Sequence, residues 1–557
     1  MEQKIKNWIK EILKIEGDFV LTHPKDLKNG DYTFISSLEN AKESLEKLEK
    51  NKLPEIEKIE MVGRFINFHL SRKFFANRVE EILNNPEDFG KNNSLEGKKI
   101  MVEYTDPNPF KPFHIGHLMS NAIGESISRL VEFSGAKIAR ANFQGDLGLH
   151  VAKAIYGLMD NEKLQSKAGS NALQASNIGK AYARGAELYE IDEEIKKEID
   201  EINKKLYIKE DDKKDKKITE IYEWGFRVTM ETFEDLYKML GTKFDFYFLE
   251  SVMADIGREI VNANMGIFEE SDGAIVFKAE KYDSKLHTRV FITSAGLPTY
   301  ETKDLGLAEE KFKTFPDMDL SIMVTANEQK DYMRVVMKAI SLINKEHAEK
   351  MKHITHGMMR LPTGKMGSRK GNVITGESLL NDARDAILEK MTNRDFSPQE
   401  EEKVANDVSV SALKYSILKQ GIGGDIIYDF EKSISFEGDS GPYLQYAYAR
   451  ANSILEKAQK ENILPDPHAF GEEIFEVEKL LYKFPEIVFR SAKEYEPHYI
   501  ANYLIEVARA FNSFYGNTVI VNKEDSSSGY KISLTYAFSF VMKNGLYLLG
   551  ITAPKKM

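Results

Sequence analysis

Between Lys99 and Phe143 the hydrophobic pattern switches from strand to helix and back again. Ile100-Met101-Val102-Glu103-Tyr104 reads as a buried strand, followed by the proline-rich loop Asp106-Pro107-Asn108-Pro109-Phe110-Lys111-Pro112. From His117 apolar residues recur at helical spacing through Leu118, Ala122, Ile123, Ile127, Leu130 and Val131 until Gly135, and Ala136 to Phe143 reads as a second strand. Strand, loop, helix, strand is one half of a nucleotide-binding parallel α/β fold, with the loop at the carboxyl end of the first strand. Strand-like segments return at Ser321–Ala326 and from His353 to Leu361. The long charged helical stretch between is therefore expected to be an insertion between two halves of one sheet. Within it, Asp192 to Lys217 reads as a solvated helix face or a flexible hairpin.

The remaining chain divides on either side of this core. Residues 1–92 are expected to form a small α+β unit with a strand over Gly63–Leu70, and 93–397 the α/β domain with its insertion at about 155–290. Beyond the polar stretch Thr392–Gln399, apolar residues recur at helical spacing, so 398–557 is expected to be all-α. A length of 557 residues, 42% of them hydrophobic and 30% charged, supplies core material for several domains. No run of eighteen apolar residues and no signal-peptide pattern occurs, so no membrane partner is expected and the chain is expected to be cytoplasmic. There is no cysteine, which excludes disulfides, thiolate zinc sites and cysteine nucleophiles. The net charge of −11 does not advertise nucleic-acid binding, although local basic patches decide phosphate contacts.

Two elements carry chemistry. His114-Ile115-Gly116-His117 stands at the loop–helix junction. A nucleoside triphosphate needs a backbone it can approach closely, hence the glycine. It also needs donors for its phosphate oxygens, which imidazoles at a helix N-terminus supply together with the helix dipole. Read alone, the tetrapeptide also fits two ordinary helix-start histidines. The second element, Gly364-Lys365-Met366-Gly367-Ser368-Arg369-Lys370-Gly371-Asn372, combines glycines with three cations and could neutralise charge on a triphosphate. Read alone, it also fits a basic surface loop.

Together these elements resemble the HIGH and KMSKS signatures of class I aminoacyl-tRNA synthetases. Glu103 to Pro112 resembles the arginyl-tRNA synthetases in particular, as do Gly296-Leu297-Pro298-Thr299-Tyr300-Glu301-Thr302-Lys303-Asp304, Gly441 to Arg450, and Asn544 to Pro554. The resemblance covers essentially the whole chain. It implies ATP, carried as its Mg2+ complex, as cosubstrate, with L-arginine and tRNA(Arg) as partners and no resident metal. A monomer is expected.

The resemblance also assigns residues. His114, Gly116, His117, Lys365 and Met366 would bind ATP, and Lys111, His114, His117, Lys365 and Arg369 would act in catalysis. Gly367 and Ser368 replace the usual serine and second lysine of the signature, and in the family Lys111 is thought to supply the missing charge. Tyr300 and Asp304, four apart on a helix, would hold the guanidinium with Glu103, while Asn108 and Gln329 would hold the α-amino and backbone end. Without the family, Tyr300 and Asp304 read as a packed tyrosine beside a surface aspartate. The N-terminal unit resembles the family's contact for the outer corner of tRNA. Tyr443 and Tyr446 are candidates to stack on anticodon bases, or else they pack one helix on another. A cysteinyl enzyme would carry thiolate ligands, and the large aliphatic-specific enzymes an editing insertion. A paralogue that binds tRNA without charging it is the alternative of a different class.

Overall fold

The computed structural model describes residues 1–557 except 37–40, 211–212, 361–374 and 392–395. In the N-terminal unit the helix Glu2–Leu13 buries Ile5, Trp8 and Ile9, and the Trp8 indole donates to the Asn51 carbonyl at 2.8 Å. They meet an antiparallel four-stranded sheet in which Tyr32–Ile35 and Ile56–Val62 flank Phe65–Leu70. The strand expected over Gly63–Leu70 is thus shorter by two residues, and its partner Ile56–Val62 is one the pattern did not predict. A register shift between Ile56 and Lys58 breaks the period of two there, so Ile56 and Ile59 both face the core while Glu57 and Lys58 stay exposed.

The central sheet has five strands, all parallel: β1 (Lys99–Glu103), β2 (Lys137–Gln144), β3 (Phe246–Leu249), β4 (Leu320–Ala326) and β5 (Met351–His356). Their order in space is β5-β4-β1-β2-β3. The direction of winding reverses between β1 and β4, and in such sheets the crevice at the carboxyl ends of those two strands is where ligands bind. Helix α1 (Ile115–Phe133) covers one face, packing Leu118, Ile123, Ile127 and Leu130 on Ile100, Val102, Ile322 and Val324. On the other face Met101, Ala139 and Ala141 meet Met253, Leu307 and Met318.

Between β2 and β3 the helices α2 (Leu149–Asp160), α3 (Asn171–Ile191), α4 (Glu193–Leu206) and α5 (Lys216–Leu240) share a core of their own. The charged segment expected to be solvated contains α4, which still buries Ile199 and Ile202. Strand β3 belongs to the main sheet although it lies inside the stretch read as insertion. It has only four residues and α6 (Glu250–Ala263) follows without a break, so no turn residues mark it. A small antiparallel sheet (Glu269–Ser271, Ala274–Phe277, Arg289–Ile292) precedes α7 (Tyr300–Thr314), and α8 (Lys330–Ile343) follows β4.

The carboxyl-terminal region is helical and includes α9 (Pro398–Leu418), α10 (Gly441–Lys460), α11 (Phe484–Glu494) and α12 (Ser528–Leu548). Its tail grips α1: the Ser126 hydroxyl donates to the Leu548 carbonyl at 2.7 Å, and Arg129 donates to the Tyr547 carbonyl at 2.9 Å. Fully buried Lys414 donates to the carbonyls of Leu240 (2.6 Å) and Gly550 (2.8 Å), with burial pushing its amine down to about 7. The N-terminal unit docks on the same helical region through Arg72 on Glu478 (2.8 Å) and His23 on Glu486 (2.9 Å). Among the described residues no helix is long and apolar enough to cross a membrane.

Candidate active site

The loop leaving β1 is strained and firmly held. Thr105, Asp106 and Phe110 have φ values of 81°, 45° and 68°, a left-handed region that costs a non-glycine residue on the order of 1–3 kcal/mol. Side chains around the loop hold it in place. Thr105 N donates to Ser120 Oγ (3.0 Å), Asn121 to Thr105 Oγ1 (3.1 Å), and Phe143 N to Asp106 Oδ1 (2.8 Å). A Cβ at Gly225 of α5 would stand 2.3 Å from the Phe110 ring, so glycine there leaves the ring its seat.

The loop delivers the two histidines to the start of α1. His114 is the N-cap, and each imidazole caps the other residue's backbone: His117 N donates to His114 Nδ1 (3.4 Å) and His114 N to His117 Nδ1 (3.2 Å). The rings stack with centroids 3.5 Å apart. A Cβ at Gly116 would lie 3.0 Å from two atoms of the His114 ring. Burial, then the neighbouring His114 and the Lys111 charge, hold His117 well below the ordinary histidine range, and burial and Lys111 lower His114 too. With Nδ1 accepting, each neutral ring carries its proton on Nε2 and remains a donor.

Charged groups line the rest of the crevice. Lys111 lies 5.3 Å over the Tyr182 ring, and burial lowers its amine while Glu250 partly offsets that. Glu103 is already neutralised by Lys311 at 2.6 Å, both side chains buried. Glu250 is likewise paired with Lys303 at 2.6 Å, and Lys303 also donates to the Leu147 carbonyl (3.0 Å) and lies 5.1 Å over the Tyr300 ring. Asn108 sits against the turn after β2, where a Cβ at Gly145 would come within 2.1 Å of its amide oxygen. His150 holds that turn through the Gly145 carbonyl (2.6 Å), burial pushing it down to about 3. Asp146 accepts from Ser251 N (2.8 Å) and the Tyr222 hydroxyl (2.9 Å).

Tyr300 and Asp304 do share one helix, α7. Tyr300 is 54% exposed, Asp304 is half-buried, and the Tyr332 hydroxyl donates to Asp304 Oδ2. Burial first, then the charges of Glu103 and Glu250, push Asp304 well above the carboxylate range, as burial and Glu103 do for Asp106. Gln329 is exposed in the turn after β4, and its neighbour Glu328 is within electrostatic reach of His114. The loop after β1, the start of α7 and the end of β4 thus meet around one crevice. Lys365, Met366 and Arg369 lie outside the described residues. The chain beyond them returns to the histidines: Thr375 bridges to His114, and Gly376 N donates to the Phe113 carbonyl at 2.8 Å.

Two expected tRNA contacts differ in setting. The Tyr443 hydroxyl accepts from Asn512 at 2.8 Å and its ring packs on the helical core. Tyr446 borders a cleft of about 590 Å³ with Phe396, Tyr515 and Lys556, and the Arg450 guanidinium lies 4.8 Å over its ring.

A family profile described as class I (R) tRNA synthetase catalytic domain matches residues 78–430. The chain belongs to the arginyl family of class I aminoacyl-tRNA synthetases. A second profile, the DALR anticodon binding domain, matches residues 444–557. Curated members of the family include the arginine–tRNA ligase of Clostridium perfringens, 33% identical over 512 residues that cover 90% of this chain and 88% of the relative. That of Clostridium kluyveri is 31% identical, with 100% of this chain and 99% of the relative covered. Among solved structures, Thermus thermophilus arginyl-tRNA synthetase superposes with a TM-score of 0.80 at 23% identity over 100% of both chains. The enzyme from Plasmodium falciparum gives 0.74 at 20% identity, covering 100% of this chain and 99% of the other. At such identities the likeness is one of fold.

Family membership makes this an ATP-using synthetase. The crevice also contains residues that spacing did not reveal: Lys303, Lys311, Asp146, His150 and Tyr332. Lys303 lies inside the segment Gly296–Asp304, but its partner Glu250 is 53 positions away. Lys311 and Glu103 are separated by 208. No local pattern encodes either pair.

Proposed function

We propose that the chain is an arginine–tRNA ligase, which activates arginine with ATP to arginyl-adenylate and transfers the arginyl group to tRNA(Arg). One observation carries this reading. At the switch point of the sheet a helix N-terminus bears two imidazole donors, and α7 adds a half-buried aspartate, Asp304, that has no cation partner among the described residues. Triphosphate suits the first and a guanidinium the second.

The arginine carboxylate attacks the α-phosphorus and pyrophosphate leaves. A terminal ribose hydroxyl of tRNA then attacks the activated carbonyl and AMP leaves. Neither step needs a covalent enzyme intermediate, so orientation and charge stabilisation carry the rate. His114 and His117 donate to phosphate oxygens beside the open backbone at Gly116, and Lys111 offsets developing charge with Lys365 and Arg369, Met366 flanking the nucleotide. Asp304 and Tyr300 take the guanidinium, with Asn108 and Gln329 at the α-amino end. Glu103, bound to Lys311, shapes the pocket through that pair. No three acidic or histidine side chains converge as a metal-holding group among the described residues. Mg2+ would enter as the complex of the triphosphate and shield its charge.

Residues 1–92 would contact the outer corner of tRNA, 93–397 would carry the chemistry, and 398–557 would receive the anticodon. Tyr446, beside its cleft, is better placed to stack on a base than Tyr443. The protein would work as a cytoplasmic monomer. Charging assays with each amino acid in turn test the reading: arginine alone should be transferred. Transfer of another amino acid would refute the specificity, and none at all would favour the binding-only paralogue.

A further inference from the structure

The acids around the crevice are not equivalent. Glu103 is held by Lys311 at 2.6 Å, Glu250 by Lys303 at 2.6 Å, and Glu301 by Arg289 at 3.5 Å. Asp304 lies among these three charges and has no cation of its own among the described residues. Its Oδ2 instead accepts a hydrogen bond from the Tyr332 hydroxyl. Tyr332 comes from α8, three residues after Gln329, so the element that follows the end of β4 reaches across to α7. The tyrosine is itself steadied. Its ring packs against the core of the small antiparallel sheet, and the Arg289 guanidinium lies 5.8 Å from the ring centre. Arg289 is fixed in turn by Glu301 and by the His287 ring, to which its Nε donates at 3.0 Å.

We propose that Tyr332 is a positioning residue for arginine recognition: it engages Oδ2 of Asp304 and so fixes the carboxylate with Oδ1 turned to receive the ligand's guanidinium. A planar, two-pronged cation demands a carboxylate in one orientation, and a half-buried aspartate without a fixed partner could rotate out of it. The hydrogen bond also opposes the forces that would neutralise the acid. Burial and the charges of Glu103 and Glu250, with Glu301 behind them, favour the protonated form, and the Lys311 charge works against them. A donor on the carboxylate favours the ionised form.

The proposal rests on the reading of the crevice as the arginine pocket, and the test separates the two. Tyr332→Phe and Asp304→Asn are compared with the parent as full-length proteins in tRNA charging, with KM for arginine, KM for ATP and the pH profile of kcat/KM for arginine as readouts. Tyr332→Phe removes one oxygen atom and should raise KM for arginine about ten-fold or more, the effect of losing a hydrogen bond to a charged group. KM for ATP should stay unchanged, and the acidic limb of the profile should move to higher pH, because Asp304 now protonates earlier. Asp304→Asn should raise KM for arginine further. If Asp304→Asn does so while Tyr332→Phe moves neither KM nor the limb, the proposal fails and the pocket stands. A rise of both KM values together in Tyr332→Phe also overturns it, since that marks a general disturbance. If neither variant affects arginine, the pocket reading itself is wrong.

Discussion

At the residue scale the crevice runs on a few side chains whose surroundings fix their charge. Asp304→Ala should raise KM for arginine about ten-fold or more while KM for ATP changes little, as expected for a charged hydrogen bond lost from one subsite. Lys311→Met should behave differently. It leaves Glu103 buried without its cation, and breaking such a pair costs about 3–5 kcal/mol. The loss should appear as a lower urea midpoint of the catalytic domain, measurable without any substrate. Much of this was readable in the sequence, since His114, Gly116, His117, Lys111 and the Tyr300–Asp304 pair all lie in local motifs. What was hidden is the company they keep. Whether an acid is free or already paired depends on side chains brought together by folding, and Glu103, expected to join in holding the guanidinium, already carries Lys311 on Oε2.

At the scale of elements the depth of the pocket depends on how closely two helices approach. A Cβ at Gly257 of α6 would lie 1.8 Å from the Thr302 carbonyl of α7, and one at Gly306 of α7 would lie 2.3 Å from the Met253 carbonyl of α6. The helices therefore touch backbone to backbone, and their separation sets the depth of Tyr300 and Asp304. Gly257→Ala must push α7 outward. It should lower thermal stability, overpacking of this kind costing about 1–3 kcal/mol, and it should raise KM for arginine more than KM for ATP. Equal changes in both constants would mean that α7 does not set the pocket. The parallel strands β1 and β4 were legible because their apolar runs are bounded by turn residues, and β2 because Gly135 and Gly145 bracket it. The strands Ile56–Val62 and β3 were not. The first carries charges on its exposed positions and a register shift, and the second runs into a helix with no punctuation.

For the whole molecule, acid is the informative stress. Burial pushes His150 down to about 3 and His353 to about 4, against an unfolded value of about 6.5. Below that value the unfolded chain takes up protons that the native one refuses, so this contribution is complete above pH 6.5 and is lost as the pH falls. At pH 5 each histidine then disfavours the native state by about 2 kcal/mol relative to neutrality. The raised carboxyls of Asp106, Glu250 and Asp304 act in the opposite sense, so the clean measurement is a difference. His353→Gln, which can keep a hydrogen bond to Thr325, should flatten the fall of the urea midpoint between pH 6.5 and 5. An unchanged slope would show that His353 already titrates in the native protein.

The grip of the carboxyl-terminal tail on α1 has a bearing on how the protein is born. Ser126 is separated by 422 positions from the carbonyl it binds, Leu548, and Lys414 closes on Gly550 in the same region. A ribosome releases the nucleotide-binding helix 422 residues before Leu548, one of its packing partners. A nascent chain would therefore carry its histidine pair on a helix not yet fully seated. A growing chain would first be able to charge tRNA once Leu548 and Gly550 have emerged to seat that helix.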